Sequence, residues 1–230
     1  MQPDHVEDPD GNKLDFPVTI TSIRPQKKRS ARFSLYQEKT YLIGVAADTL
    51  VCFRLEKGKT LTASQFQEIT RVEERLAAKE YMLRLLGRRD HSSRELQVKA
   101  LSKGHGEKHI HNVIEELEQK GYLNNESFAR QFASDKLTIN RWGPGRVRTE
   151  LRKKGIDAPL ADRIIRTEIE DLELKEICVD LALGRRKHFS READPFRRKQ
   201  KIAAWLQRRG FDFTTIERAL PEIIKQLNVS

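Results

Sequence analysis

The 230-residue sequence predicts a mostly α protein: three tandem three-helix repeats in an elongated curved array, preceded by a small β-containing N-terminal module. Three observations predict it. Gly104, Gly155 and Gly210 each end a basic helical stretch, with Leu96, Val147 or Ile202 eight residues before and Ala100, Leu151 or Leu206 four before. Those offsets are two turns and one turn of helix, so the apolar residues stack on one face. The pattern beyond each glycine also recurs, with Ile110, Ala161 and Ile216 at plus six and Val113-Ile114, Ile164-Ile165 and Ala219-Leu220 at plus nine and ten. Upstream, around Val18 to Val45, apolar residues alternate with a period of two instead.

In chain order, residues 1–15 are polar and acidic without periodicity and read as a disordered tail. Residues 16–70 form the small β/α module. Val18, Ile20 and Ile23 alternate with polar residues, Arg32, Phe33, Ser34, Leu35, Tyr36 and Gln37 repeat that period, and Tyr41 to Val45 adds an apolar run. These give two or three short antiparallel strands, with Pro25-Gln26-Lys27-Lys28-Arg29 as a loop. Roughly three strands are the minimum for an independent sheet, so this one needs cover from a helix. Asp48 is positioned to cap a short helix through Leu55 that Gly58 closes, and Thr62 or Ser64 precedes a further helix near Phe66 and Ile69.

The repeats occupy 72–121, 122–170 and 171–228, and the stopping glycines recur after 51 and then 55 residues. Their first helices span about 74–86, 125–137 and 172–183. Ser92 or Ser93 caps the second helix of the first repeat, and Gly143-Pro144-Gly145 turns the chain into the second helix of the middle one. Asp157 with Pro159 opens one third helix, and Asp212 or Thr214 opens the last. Cations precede each glycine (Lys103, Lys153-Lys154, Arg208-Arg209), where the helix dipole favours positive charge. The middle copy breaks the pattern thirteen residues after its glycine, where Glu168 stands in place of Leu117 or Ile223 and Ile169 follows.

A net charge of +10 favours anionic partners and opposes self-association, so a monomer is expected. Cys52 and Cys178 fit no metal or redox spacing; both lie among apolar neighbours and read as reduced thiols packed as small hydrophobes. The N-terminus lacks the basic-then-apolar order of a signal peptide and the apolar runs are too short to span a bilayer, which points to a soluble cytoplasmic protein without membrane contact.

No catalytic constellation is visible, so the chain reads as non-enzymatic, with no cofactor or metal. His105, His109 and His111 are close in sequence, but no carboxylate or cysteine completes a ligand signature. The basic clusters are the better candidates for function. Arg88, Arg89 and Arg94 flank the first repeat's helix junction; Arg141, Arg146, Arg148, Arg152, Lys153 and Lys154 crowd the middle repeat; Arg197, Arg198, Lys201, Arg208 and Arg209 belong to the third. Charge recurring at one place in each repeat would give a stripe of phosphate contacts, against the plainer reading of a solvated, solubilising face. Trp205 reads as core beside Ile202 and Leu206. Trp142, beside the Gly-Pro-Gly turn, is either a packing lid or a partner anchor. Tyr122 and Leu123, after Gly121, read as an apolar plug between repeats.

These stretches resemble the bacterial RecX family, regulators of the RecA recombinase. The resemblance is carried by His91-Ser92-Ser93-Arg94-Glu95-Leu96, by 115–128 (EELEQKGYLNNESF) with Ala129, and by 141–156 (RWGPGRVRTELRKKGI). It covers roughly residues 77–227, and 18–69 resembles the β-containing extension of longer members. The family's motif falls here on Arg94, Glu95, Leu96, Gly121, Tyr122, Leu123, Phe128, Ala129, Gly143, Pro144, Arg146, Glu150, Leu151, Lys154 and Gly155. His105, Ala100 and Asn125 depart from its usual residues. The resemblance implies a regulator of DNA repair and recombination that lodges on the RecA–DNA filament and limits its extension, ATP hydrolysis or strand exchange. Contact with single- or double-stranded DNA would be direct or through the filament. A stand-alone nucleic-acid-binding helical module is the alternative.

Overall fold

The computed structural model describes residues 5–7, 13–26 and 31–228. Two compact units divide it: Met1–Leu85 with Lys99–Glu116, and Leu86–Val98 with Leu117–Ser230. They do not follow the repeats, since the helices of the first repeat pass from one unit to the other.

The N-terminal module holds more strands than the alternation suggests. β1 (His5–Glu7) pairs antiparallel with β2 (Lys13–Asp15), and Leu14 enters the module's core. Of the disordered tail expected over 1–15, residues 5–7 and 13–15 are described: they pair as a ribbon, and Leu14 is buried in the module's core. β3 (Val18–Thr19) pairs with β7 (Thr60–Leu61), while β4 (Ser22–Pro25), β5 (Arg32–Gln37) and β6 (Thr40–Ala46) form an antiparallel three-stranded sheet in that order. The backbone N–H of Gln26 donates to the Arg32 carbonyl at 2.9 Å beside the expected loop. Its Lys27, Lys28 and Arg29 lie outside the described residues.

Asp48 does not cap the short helix. α1 (Ala47–Cys52) begins one residue earlier, with Ala46 at its N-cap and Asp48 inside the first turn. Gly58 does not close it either: at φ +95° it sits in the turn before β7, donating its N–H to the Ile20 carbonyl at 2.8 Å.

α2 (Ala63–Leu86) starts with a reciprocal capping box. The Thr62 hydroxyl accepts from the Gln65 N–H at 3.3 Å, and the Gln65 side-chain oxygen accepts from the Thr62 N–H at 3.0 Å. Phe66 and Ile69 on its first turns supply the expected cover, packing with Val18, Ile20, Leu35, Leu42 and Val45. The helix then runs on without a break into the first repeat, so no linker separates module from repeat. Glu73 locks it to the sheet: its buried carboxylate accepts from Arg32 Nη2 and the Ala46 N–H, both at 2.8 Å, and from the Thr49 hydroxyl. A buried charge with three donors is compensated where it stands.

The repeats follow the predicted layout. α3 (Ser93–Ser102) and α4 (Glu107–Gln119) complete the first; α5 (Asn125–Ser134), α6 (Pro144–Lys153) and α7 (Ala158–Ile169) make the second. The third comprises α8 (Leu174–Leu183), α10 (Pro195–Arg208) and α11 (Phe213–Asn228). Two features have no counterpart in the pattern: α5 continues as a π-helical turn, Asp135–Ile139, and a single turn, α9 (Arg186–Phe189), intervenes in the third repeat.

The glycine stops work identically. Gly104, Gly155 and Gly210 have φ of +89°, +81° and +93°. The next residue turns its N–H back to the carbonyl four before the glycine: His105 to Ala100 at 3.1 Å, Ile156 to Leu151 at 3.1 Å, and Phe211 to Leu206 at 3.3 Å. This is the Schellman closure that a left-handed glycine permits. Of the periodic residues before and after the glycines, Leu96, Ala100, Ile110, Val113, Val147, Leu151, Ala161, Ile164, Ile165, Ile202, Leu206, Ile216, Ala219 and Leu220 are buried, and Ile114 is half-buried. At the break, Ile169 packs on the second repeat's core while the Glu168 carboxylate lies 3.9 Å from Arg130.

Candidate functional site

The second helices meet end to end, and they do so twice at equivalent positions. Adding 51 to a residue of α3 gives its counterpart in α6, and adding 55 to the end of α6 gives its counterpart in α10. At the first junction the Ser92 hydroxyl donates to the Lys154 carbonyl at 2.7 Å. At the second, the Gly143 N–H donates to the Arg209 carbonyl at 2.8 Å. Ser92 corresponds to Gly143, and Lys154 to Arg209. The stopping glycines make the close approach possible. A Cβ at Gly155 would lie 2.6 Å from the Arg94 Cβ, and one at Gly210 would overlap the backbone of Arg146. Gly143 faces the same constraint from the other side, where a Cβ would overlap Gly210 and Phe211.

Electrostatically the two junctions differ. Lys154 Nζ bonds the Glu95 carboxylate at 2.6 Å, and Arg89 reaches the same carboxylate at 3.1 Å. Burial works against the charge on Glu95, but Lys154 and Arg89 together outweigh it and hold its pKa below the usual value. The counterpart of Glu95 is Arg146. Its guanidinium lies 3.8 Å from the Trp142 ring centroid. Arg209 stacks on Trp205 at 5.2 Å and donates to the Asn140 carbonyl at 3.2 Å.

Beside the second junction runs an open groove of about 740 Å³, lined by Arg146, Arg148, Arg166 and Arg208 with Glu150, Asp162 and Asp212, over the apolar Ile165, Ile169 and Phe211. It joins residues of the second and third repeats. The sequence reading missed Arg166; its signal is the four-residue spacing from Asp162 on the polar side of α7.

The structure sorts the other candidate cations. Several are held within the chain: Arg141 by Asp180 at 3.3 Å, Arg148 by Asp162, Lys153 by Glu150 at 2.8 Å, Arg197 by Asp194 at 3.5 Å and Lys201 by Glu192. Arg198 donates to the Glu192 carbonyl at 2.9 Å and to Asn228 at 3.0 Å. The carboxylates report this pairing: Glu150, Asp162 and Glu192 are pulled below their ordinary pKa by hydrogen bonds from Lys153, Arg148 and Lys201. Arg88, Arg94, Arg152 and Arg208 are exposed and in no ion pair among the described residues. A continuous stripe of free charge is therefore too simple. Fold neighbours decide which cations are spent internally.

Trp205 packs against the third core as expected, edge-on to Phe189 at 5.8 Å, but its ring also carries Arg185 at 5.3 Å. Trp142 packs against the second core, with Lys136 at 5.2 Å on its ring as well as Arg146. Of the expected plug, Leu123 is buried and Tyr122 is 63% exposed. Cys178 is buried, whereas Cys52, read as packed, is exposed at the end of α1. His109 pairs with Glu74 at 3.0 Å and His111 with Glu115 at 3.1 Å. Among the described residues no cluster of His, Cys, Asp and Glu could hold a metal ion, and no helix is long and apolar enough to cross a membrane.

Comparison with known proteins matches four family models along the chain. The model for the regulatory protein RecX N-terminal domain matches residues 18–62, and those for the first, second and third RecX three-helix domains match 78–117, 124–164 and 181–220. The regulatory protein RecX of Bacillus subtilis is 32% identical over 206 residues, covering 89% of this chain and 76% of the relative. That of Clostridium acetobutylicum is 27% identical over 212 residues, covering 91% and 98%. A crystal structure of a regulatory protein RecX superposes with a TM-score of 0.69 at 25% identity, over 90% of this chain and 98% of the other. RecX from Lactobacillus salivarius, with a TM-score of 0.58 at 22% identity, shares the fold over 69% of this chain.

Proposed function

Since the chain belongs to the RecX family of regulatory proteins, we propose that it docks on the RecA–DNA filament and restrains recombination and ATP hydrolysis by occupying it. No bond is made or broken by the chain itself. It acts in the cytoplasm as a monomer, and regulates DNA repair and recombination through the filament.

The observation that carries this reading is the arginine-lined groove beside the second junction. Two repeats contribute to it, and it sets four guanidiniums over an apolar floor. Such a surface suits a partner presenting acidic groups around a hydrophobic patch, or phosphates along a backbone. Contacts repeated on a filament of identical subunits gain from effective concentration even when each is weak.

The test is a time course of filament assembly and disassembly on single-stranded DNA, with and without the protein, at two salt concentrations. Assembly should slow or net disassembly increase, and Arg166→Glu with Arg208→Glu should weaken the effect while leaving helicity unchanged. Unaltered filament kinetics at both salts would refute the proposal. Binding to naked DNA as tight as to the coated filament, with a steep salt dependence, would favour the stand-alone nucleic-acid module instead.

A further inference from the structure

At the first junction a carboxylate stands between the cations: Glu95 takes Lys154 and Arg89. At the second, the counterpart of that glutamate is Arg146, so Arg209 faces a second guanidinium where Lys154 faces an acid. Arg185, at the turn between α8 and α9, joins them. Arg185 and Arg209 lie over the Trp205 ring at 5.3 and 5.2 Å, and Arg146 lies over Trp142 at 3.8 Å. Burial lowers the pKa of Arg209, and the charges of Arg146 and Arg185 lower it further. Its Nε is buried without a hydrogen-bond partner. None of the three guanidiniums forms an ion pair among the described residues. The nearest acids along the chain are engaged elsewhere: Asp212, three residues after Arg209, accepts from Thr215 at 2.8 Å, and Glu150, four after Arg146, is bonded to Lys153 at 2.8 Å.

Three like charges kept close, oriented by indole faces and with no carboxylate in an ion pair to them among the described residues, raise one another's cost until an anion arrives. We propose that the Arg146–Arg185–Arg209 cluster is a binding site for a phosphate group of nucleic acid, which fills the role Glu95 has at the first junction. The guanidiniums come from three chain segments, the start of α6, the turn after α8 and the end of α10. Donors converging from separate segments suit a tetrahedral group with oxygens in several directions better than a planar carboxylate. The turn with Arg185 is exposed, and an open concavity of about 470 Å³ lies over Leu183 to His188, which leaves a path for a nucleic-acid backbone. A bound phosphate would also relieve the repulsion between the second and third repeats, coupling occupancy to the rigidity of their junction.

The site carries its own reporter, because Trp142 and Trp205 are the only tryptophans in the chain. The experiment is a tryptophan-fluorescence titration of the full-length protein with inorganic phosphate, a short oligothymidylate and poly-glutamate, alongside urea unfolding. Phosphate and the oligonucleotide should each give a saturable emission change, weakened by salt. Arg185→Gln should weaken it by about tenfold or more, as expected when one charge-assisted bond is lost. Arg146→Glu supplies the missing carboxylate from within; it should abolish the response and move unfolding to higher urea. No saturable change with either phosphate probe overturns the site, as does an Arg146→Glu protein that titrates like the parent. Poly-glutamate saturating as tightly as the oligonucleotide overturns it too, in favour of an acidic protein surface. The proposal rests on the nucleic-acid contact in the function given above. With no recombinase present, a negative titration removes this site alone and leaves the filament reading to its own time course.

Discussion

The Ser92 hydroxyl donates to the Lys154 carbonyl at 2.7 Å while accepting from the Glu95 N–H at 3.1 Å, so one fully buried oxygen both caps α3 and ties the second repeat to the first. Ser92→Ala removes both bonds. A lost N-cap costs about 1 kcal/mol and an orphaned carbonyl about as much again, so urea unfolding should show a loss of about 2 kcal/mol. A loss under about 0.5 kcal/mol, the range of an ordinary surface change, would show that the junction does not depend on this residue.

Gly143 and Gly58 separate two roles of glycine. Gly143 has an ordinary φ of −71°, but a Cβ there would overlap Gly210 and Phe211. Gly58 has φ +95°, and a Cβ there would meet no atom within 4 Å. Gly143→Ala should cost about 3 kcal/mol through forced separation of the backbones, and Gly58→Ala about 1 kcal/mol through backbone strain alone. Thermal unfolding of the two variants side by side checks the order.

The Glu95–Lys154 pair makes the first junction pH-dependent. The Glu95 pKa is held below its ordinary 4.5 in the folded chain. Its stabilisation is therefore complete above that ordinary value and lost as pH falls through the depressed one. Parent and Glu95→Gln proteins should differ most near neutrality, and the gap should narrow as pH falls below the ordinary value and close through the depressed one. A series of urea unfolding curves from neutral to strongly acidic pH measures it; a gap that stays constant throughout would place the stabilisation elsewhere.

The thiols should differ in reactivity. Burial, aided by the Asp212 charge, pushes the Cys178 thiol up to about 12, while Cys52 is exposed. A maleimide or iodoacetamide at neutral pH should label Cys52 in the native protein and reach Cys178 only on unfolding. Mass spectrometry of digested native and unfolded samples distinguishes the sites.

The helical repeats were legible because their signals are local. Leu96, Ala100 and Gly104 lie within three turns of one helix, and the same offsets recur around Gly155 and Gly210. The β-module was legible only in part, since strands as short as Val18–Thr19 and Thr60–Leu61 carry too few residues to show a period and find each other across the whole module. The candidate surface was legible in composition but not in assignment. Lys154 and Arg152 look alike in sequence, yet one meets Glu95 and the other stays exposed, because only the fold brings α3 to the end of α6. Arg185, Arg209 and Trp205 come together across a loop and a helix for the same reason. Glu95 and Arg146 are matched by the repeat interval alone, so the charge inversion could have been read from the sequence once the register was trusted.

Gly104 has the same left-handed turn as Gly155 and Gly210, but where those two abut Arg94 and Arg146, a Cβ at Gly104 would meet no atom within 4 Å. The joint used twice inside the chain is thus presented once more, vacant, by the leading repeat. Its two halves are of one kind in both places, a serine- or glycine-headed helix start and a glycine-ended helix stop, but the pairs are matched: the Gly210 stop lies too close to Gly143 to admit a Cβ, whereas the Gly155 stop receives the serine-headed helix. A repeat docked against the Gly210 stop must therefore keep a glycine at its head, a constraint that the serine-headed junction at Gly155 does not impose.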